Sequence, residues 1–277
     1  MTRVAAIQLK ADGDVEHNLA RAKALMDRAV DEGAELLVLP ENFAYYNETD
    51  LLAAASLEST ARGPVKNFLA EQARLHSVWV LGGTLPLFSG VAGTTDKHID
   101  NRPYAASLLF NAEGEEVARY YKMHLFDVTV AATGKRYCES DTYRHGDAPV
   151  LVNTPLGKLG LSVCYDLRFP ELYRIYGAGG ADMIAVPSAF TAATGEAHWQ
   201  LLLRARAVEN QCYVIGANLG HRDHPKKPTW GGSVIIDPWG EVLAELEDGE
   251  GVISAEIDEA RLAKIRSNMP VSQHRRL

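Results

Sequence analysis

Cys164, in the segment LGLSVCYD, is a residue whose type and setting could do chemistry. A cysteine attacks carbonyl carbon as the thiolate, and an unperturbed thiol at neutral pH is mostly protonated, so it needs a base or a positive neighbour. Glu41 in LPENF and Lys122 in YYKMHLF offer both. Glu41 can take the thiol proton, while Lys122 can donate a hydrogen bond and positive charge to the oxyanion that forms on attack; the backbone N–H of Tyr165 is a second donor. Each residue alone has an ordinary reading. A cysteine closing an apolar strand is usually a small buried hydrophobe, an acid is a surface or helix-capping group, and a lysine is solvated. The combination carries the meaning.

All three lie at or just beyond the C-terminal ends of predicted strands, where ligands commonly bind in open α/β sheets. RVAAIQL reads as a buried strand. A helix follows near Asp14 to Glu32, with Val15, Leu19, Ala22, Met26 and Ala29 at helical spacing and Gly33 just past its end. ELLVLP is the strand that delivers Glu41. Gly63-Pro64 opens a helix to about His76, and VWVLGG returns as a strand. AASLLF and EVARYY flank NAEGE as a β-hairpin that runs into Lys122; VLVNT and LGLSVCY flank PLGK as a second, ending on Cys164. A helix through ELYRIY, the strand DMIAVP, a helix near Glu196 to Asn210 and the strand CYVIGAN continue the alternation. SVIID, EVLAEL and GVISAEI read as antiparallel strands, with PWGE as a turn, before a short helix and a basic tail from about residue 268. Strand pairs mixed with helix-strand units predict an α/β fold: two mixed sheets, each with helices on its outer face, in a four-layer αββα sandwich. No linker or repeat divides residues 1–277, so one domain is expected.

Bulk properties narrow the function classes. With 47% hydrophobic and 23% charged residues among 277, the chain is of ordinary globular composition and long enough to bury a large core. A formal net charge of -8 disfavours a broad grip on phosphate backbones, so no nucleic-acid partner is expected. MTRVAAIQLKADGD has too short an apolar run for a secretory signal, and no segment approaches membrane-spanning length, which predicts a cytoplasmic location with no membrane partner. Cys138, Cys164 and Cys212 are too few and irregular for a disulfide scaffold and lack the CxxC pairing of structural zinc sites.

The segments LPENF, YYKMHLFDV and LGLSVCYDLRFPELYR closely resemble the glutamate, lysine and cysteine signatures of the nitrilase-like carbon-nitrogen hydrolases. The likeness extends through PSAFTAATGEAHWQLLLRARAVENQCYV, WGGSVIIDPWGEVLAE and QHRR, nearly the whole chain. It implies the αββα sandwich, a catalytic set of Glu41, Lys122 and Cys164, no cofactor or metal, and a homodimer or higher homo-oligomer. Glu139 in RYCES matches a further active-site glutamate of the family and takes a supporting role, positioning Lys122 or substrate; by itself it would be an ordinary loop acid. One departure is VAATGKRYCES, where relatives usually carry a proline-glycine pair.

Within the family, FDV, CYDLRFPEL, PSAF, ATGEAHW and the terminal QHRR are most similar to the group that hydrolyses deaminated glutathione, with the ω-amidases as nearest competitor. The resemblance implies a small-molecule 2-oxo acid amide cleaved through a thioester. Such a substrate carries carboxylates at both ends. Arg168, Phe190 and Thr194 are the candidate substrate-binding residues: a guanidinium can hold a carboxylate bidentately, and the other two fall in the family's substrate-facing loop. Their ordinary readings are a salt bridge from Arg168 to Asp166 or Glu171, and loop packing and capping. The segment GHRDHPKKPTW combines basic residues that could attract an acidic substrate with two histidines that lack a third ligand for a metal; its simplest reading is a solvated loop.

Overall fold

The computed structural model describes residues 2–46, 50–88, 100–130 and 134–276. Strands β1 (Thr2–Gln8), β2 (Leu36–Val38), β3 (Trp79–Leu81), β4 (Leu85–Leu87), β5 (Tyr104–Phe110) and β6 (Glu116–Tyr121) build most of one sheet. Strands β7 (Asp127–Val130) and β8 (Lys135–Cys138) form a separate antiparallel pair. The second sheet consists of β9 (Val150–Thr154), β10 (Gly157–Leu161), β11 (Met183–Ser188), β12 (Tyr213–Asn218), β13 (Ser233–Ile236) and β14 (Val242–Leu246). The last strand, β15 (Gly251–Ile257), leaves the run of antiparallel strands around it and pairs with β1 from Thr2↔Ile257 to Gln8↔Gly251.

Both sheets share one pairing pattern. Two parallel pairs sit at the centre, β1–β2–β3 and β10–β11–β12. An antiparallel strand, β15 or β9, flanks one side, and two antiparallel strands flank the other, β5–β6 or β13–β14.

Alternation along the strands explains the layers, because successive side chains face opposite sides of a sheet. Val4, Ala6, Leu36, Val38 and Leu109 pack in one core with the second sheet. Their neighbours Ala5, Ile7, Leu37, Leu39 and Leu108 pack in another, beneath Ala22, Met26, Leu69 and Ala73. Those last four belong to helices α1 (Val15–Asp31) and α3 (Pro64–His76), which are separated by α2 (Leu51–Glu58). Helices α4 (Pro170–Ala178) and α5 (Ala192–Asn210) cover the second sheet. The expected αββα sandwich is thereby observed. Each fully buried Leu, Ile, Val or Met contributes about 1.5–3 kcal/mol. Helices α6 (Glu259–Asn268) and α7 (Val271–His274) end the described chain, so the region expected as a tail contains a short helix.

Local signals account for the helix ends. Asp14 accepts a hydrogen bond from the His17 N–H at 3.0 Å, and Gly33 follows α1 with φ +86°, a conformation in which a side chain is strained. Pro64 sits in the first turn of α3, whose open N–H groups are met by the buried Glu58, accepting from Val65 at 2.8 Å and Lys66 at 3.0 Å. Helix α5 begins at Ala192, a turn earlier than expected at Glu196, and accommodates Gly195 because a Cβ there would lie 2.2 Å from Trp230.

Two strands are shorter than expected, one of them because side chains compete with the strand ladder. ELLVLP pairs as a strand only over Leu36–Val38. The strand expected to end on Cys164 stops at Leu161, after which Ser162 bonds Ala185 through its hydroxyl at 2.9 Å and Asp166 captures the Val163 N–H at 2.8 Å. Cys164 therefore opens a 3₁₀ turn, Cys164–Arg168, instead of closing a strand. In the VAATGKRYCES stretch, residues 131–133 lie outside the described residues, and the flanks form the β7–β8 hairpin.

Candidate active site

Each of the candidate catalytic side chains leaves the sheets at a break in regular pairing. Beyond β2, the Leu39 N–H still bonds Leu81 at 3.0 Å, and the chain then turns. Asn42 adopts φ +55°, which asparagine tolerates better than most residues, and its N–H bonds the Thr84 hydroxyl at 2.9 Å. Gly83 lies so close beneath that a Cβ on it would meet the Pro40 carbonyl at 2.0 Å. These contacts fix the turn that carries Glu41. Lys122 follows β6 and is held by its backbone, donating to Ala105 at 3.0 Å and accepting from Gly146 at 2.8 Å.

Cys164 has φ +46°, a left-handed conformation that costs a non-glycine residue about 1–3 kcal/mol. Asp166, fully buried, holds that turn in place. Its Oδ2 accepts from the Val163 N–H at 2.8 Å and the Tyr120 hydroxyl at 2.7 Å. Its Oδ1 accepts from the His124 N–H at 3.0 Å and lies 2.7 Å from His124 Nδ1. One carboxylate thus ties the cysteine turn to both flanks of Lys122. The His124 ring stacks on Phe169, centroids 3.7 Å apart.

The side chains meet in a buried cluster. Lys122 Nζ donates to Glu41 Oε1 at 2.7 Å and to Glu139 Oε1 and Oε2 at 2.9 and 2.8 Å. Glu139 opens a 3₁₀ turn after β8 and also accepts from the Phe126 N–H at 2.7 Å. The other oxygen of Glu41 accepts from the Ala189 N–H at 2.8 Å, just after β11. The Cys164 thiol lies close enough to Glu41 and to the Ala189 N–H for both to act on its proton. Glu41, Lys122 and Cys164 are only 3%, 2% and 7% exposed, so water screens these contacts little.

Burial opposes the Lys122 charge, but the carboxylates of Glu139 and Glu41 outweigh it and hold the ammonium well above the ordinary lysine range. Burial raises Glu139, with Lys122 opposing and Glu41 adding to the rise. Burial, then the charge on Glu41, pushes the Cys164 thiol well up, with Lys122 pulling the other way. The resting group is therefore a thiol beside a carboxylate, an arrangement suited to proton transfer during attack. Cys212, also buried, is pushed up to about 12 by burial and lies in the core beyond this cluster.

The cluster lies at a cavity of about 270 Å³ that is also lined by Tyr46, Phe126, Tyr165, Phe190, Thr194 and Lys227. Of the expected substrate contacts, Phe190 and Thr194 thus line the cavity. Tyr165 follows Cys164 in its turn and contributes to the wall. Arg168 stands behind it, its guanidinium 5.2 Å from the Phe190 ring and 5.8 Å from the Tyr165 ring and bonded to His198 at 3.2 Å. Its ordinary partner Asp166 is occupied by four other groups. Ala189 and Lys227 did not stand out in the sequence. Ala189 acts through a backbone N–H and has no side-chain signature, although its place at the end of DMIAVPSA was a signal; Lys227 belongs to the GHRDHPKKPTW segment. Among the described residues, no group of three or more His, Cys, Asp and Glu side chains could hold a metal, and no helix is long and apolar enough to cross a membrane.

Comparison with known proteins identifies the family. A deaminated glutathione amidase from Synechocystis sp. is 44% identical over 98% of this chain and 97% of its own. The mouse ω-amidase NIT2 is 36% identical over 99% of this chain and 95% of its own. The crystal structure of Saccharomyces cerevisiae Nit3, a member of branch 10 of the nitrilase superfamily, superimposes with a TM-score of 0.86 at 33% identity, covering 100% of this chain and 97% of that one. The carbon-nitrogen hydrolase family profile matches residues 3–267, and with this fold and these relatives the chain belongs to the carbon-nitrogen hydrolase family, of the nitrilase-like superfamily.

Proposed function

We propose that the protein hydrolyses the amide of a small 2-oxo acid, namely deaminated glutathione, to 2-oxoglutarate and cysteinylglycine. The observation that carries the reaction type is the convergence on one cavity of a buried thiol, a buried carboxylate and the ammonium bonded to it: Cys164, Glu41 and Lys122. As the Cys164 sulfur bonds to the amide carbon, its proton passes to Glu41, and Lys122 with the Tyr165 N–H receives the carbonyl oxygen as it becomes an oxyanion. Collapse breaks the C–N bond. Glu41 returns the proton to the departing amine nitrogen, leaving a thioester. Water then gives a proton to Glu41 and adds to the thioester carbon; the sulfur leaves and is reprotonated, restoring the thiol. Glu139, bonded to Lys122 through both carboxylate oxygens, positions its ammonium.

The substrate assignment draws on the deaminated glutathione amidase of Synechocystis, and on a cavity that joins the apolar ring of Phe190 with the hydroxyl of Thr194. Arg168 sits behind that wall, against the Phe190 and Tyr165 rings, and supports it. The ω-amidase relative supports a second reading, hydrolysis of 2-oxoglutaramate with the same machinery. Cytoplasmic location and assembly into a homodimer or larger oligomer complete the proposal. Exposed Ile175, Leu201 and Val208 on α4 and α5 favour a covered outer face.

Steady-state kcat/KM on deaminated glutathione and 2-oxoglutaramate separates the two readings, and equal or lower efficiency on the former refutes the first. Mass spectrometry after brief exposure to substrate should find an acyl adduct on Cys164 of the wild type and none at position 164 in Cys164→Ser. Acylation confined to Cys138 or Cys212 would refute the assigned nucleophile.

A further inference from the structure

The cavity has two cations in very different circumstances. Lys122 is committed, bonded to both Glu41 and Glu139. Lys227 also lines the cavity, yet among the described residues no carboxylate pairs with it. It stands at the exposed rim, its Nζ 5.8 Å from the Tyr46 ring centroid.

The segment carrying Lys227 is fastened on several sides. Its backbone carbonyl accepts from the Tyr46 hydroxyl, and its N–H donates to His224 Nδ1 at 2.9 Å. On one side Lys135 of the β7–β8 hairpin bonds the Lys226 carbonyl at 2.7 Å. On the other, the Pro228 carbonyl accepts from the Ala192 N–H at 3.0 Å, at the start of α5. Arg222, a further cation of the segment, is spent on Trp230, with its guanidinium 3.8 Å from the indole centroid and its Nε bonded to the Trp230 carbonyl at 2.6 Å. An ammonium on an anchored backbone, over an aromatic ring and without a counter-charge, is built to receive an anion. Burial of its surroundings and the charge of Lys135 both weaken its hold on its proton, and an arriving carboxylate relieves the second effect.

We infer that Lys227 is a specificity-determining residue that receives the carboxylate on the leaving-group side of the substrate, the one farther from the scissile bond. This rests on the amidase reading above and extends it. The reacting cluster lies at the buried end of the cavity, and a dipeptide leaving group is long enough to put its terminal carboxylate at the rim: two residues of extended chain span roughly 7 Å. 2-Oxoglutaramate has the same acyl half as deaminated glutathione but releases ammonia and offers nothing to Lys227.

The test compares kcat/KM of wild type, Lys227→Met and Lys227→Arg on the two substrates. Lys227→Met keeps the apolar stem and removes the charge. It should lower kcat/KM for deaminated glutathione about tenfold, chiefly through KM, while 2-oxoglutaramate stays within about twofold; Lys227→Arg should recover most of the loss, as expected for one exposed charge-assisted contact. An equal loss on both substrates, or no loss on either, overturns the inference while leaving the amidase reading intact. A wild type that hydrolyses 2-oxoglutaramate but not deaminated glutathione overturns both the inference and the assignment of deaminated glutathione as substrate.

Discussion

Replacing Asp166 by Asn changes one atom and almost no volume, yet the structure predicts a large effect. The carboxylate faces donors on both oxygens: Val163 N–H and Tyr120 O–H on Oδ2, His124 N–H and its ring on Oδ1. An amide must turn its NH₂ toward one pair. The Tyr120 hydroxyl can rotate to accept, and the His124 ring can change tautomer, but a backbone N–H cannot adapt. One buried N–H is left unpaired in either orientation, at about 1–3 kcal/mol, and the remaining bonds lose charge assistance worth about 1 kcal/mol each. Relief from burying a charge offsets part of this. The net expectation is a loss of about 2–4 kcal/mol, read in urea unfolding as a lower midpoint with an unchanged slope. Because the same carboxylate joins the cysteine turn to the flanks of Lys122, kcat should fall about 10- to 100-fold with KM nearly constant, the scale of a misplacement near 1 Å. A variant that is less stable but retains wild-type kcat, assayed well below its unfolding temperature, would refute the claim that Asp166 aligns nucleophile and lysine.

Other perturbations have definite signs. Glu41→Gln removes a negative charge that raises the Cys164 thiol, so the thiol pKa should fall; iodoacetamide should label Cys164 faster at neutral pH although amide turnover drops about 10²- to 10⁴-fold. Slower labelling would contradict the assigned electrostatics. Lys122→Met leaves Glu41 and Glu139 buried together and should cost about 3–5 kcal/mol near neutral pH. Since burial already raises Glu139, its protonated form is favoured in the folded state; stability of this variant should recover as pH falls through that raised value and be lost as pH rises, and a flat pH profile would count against it. Gly83→Ala would place a methyl 2.0 Å from the Pro40 carbonyl at φ +49°, so thermal unfolding should report a loss of at least about 1–3 kcal/mol, with reduced turnover because the Glu41 turn is displaced.

The candidate site residues were legible because each ends a short apolar segment and the flanking motifs resemble one family; helices α1 and α3 were legible from periodicity and their capping residues. What escaped did so for physical reasons. Strand β4 hides behind Gly82 and Gly83, which look like a terminus but turn the chain past Leu69 and Pro40. The Ala189 N–H has no side-chain type to betray it. Asp166 stood out only as a possible partner for Arg168, since nothing in the spacing reveals that Tyr120 and His124, more than 40 residues earlier, converge on it. Lys227 resembles any loop lysine until Tyr46 and the start of α5 are seen to fix its backbone.

The pairing of β15 with β1 also bears on how the protein is made. Glu41 depends on a sheet whose flanking strand is contributed by Gly251–Ile257, pairing across nearly the full length of the chain with Thr2–Gln8. Contacts so distant in sequence close late and slow folding. During synthesis, the first sheet must wait with one side of β1 unpaired until almost all of the protein has emerged. A stalled or truncated product lacking β15 would then hold Glu41 and Lys122 on an unfinished sheet, apart from the completed second sheet, whose strand β10 precedes Cys164, and would expose an aggregation-prone strand edge along β1.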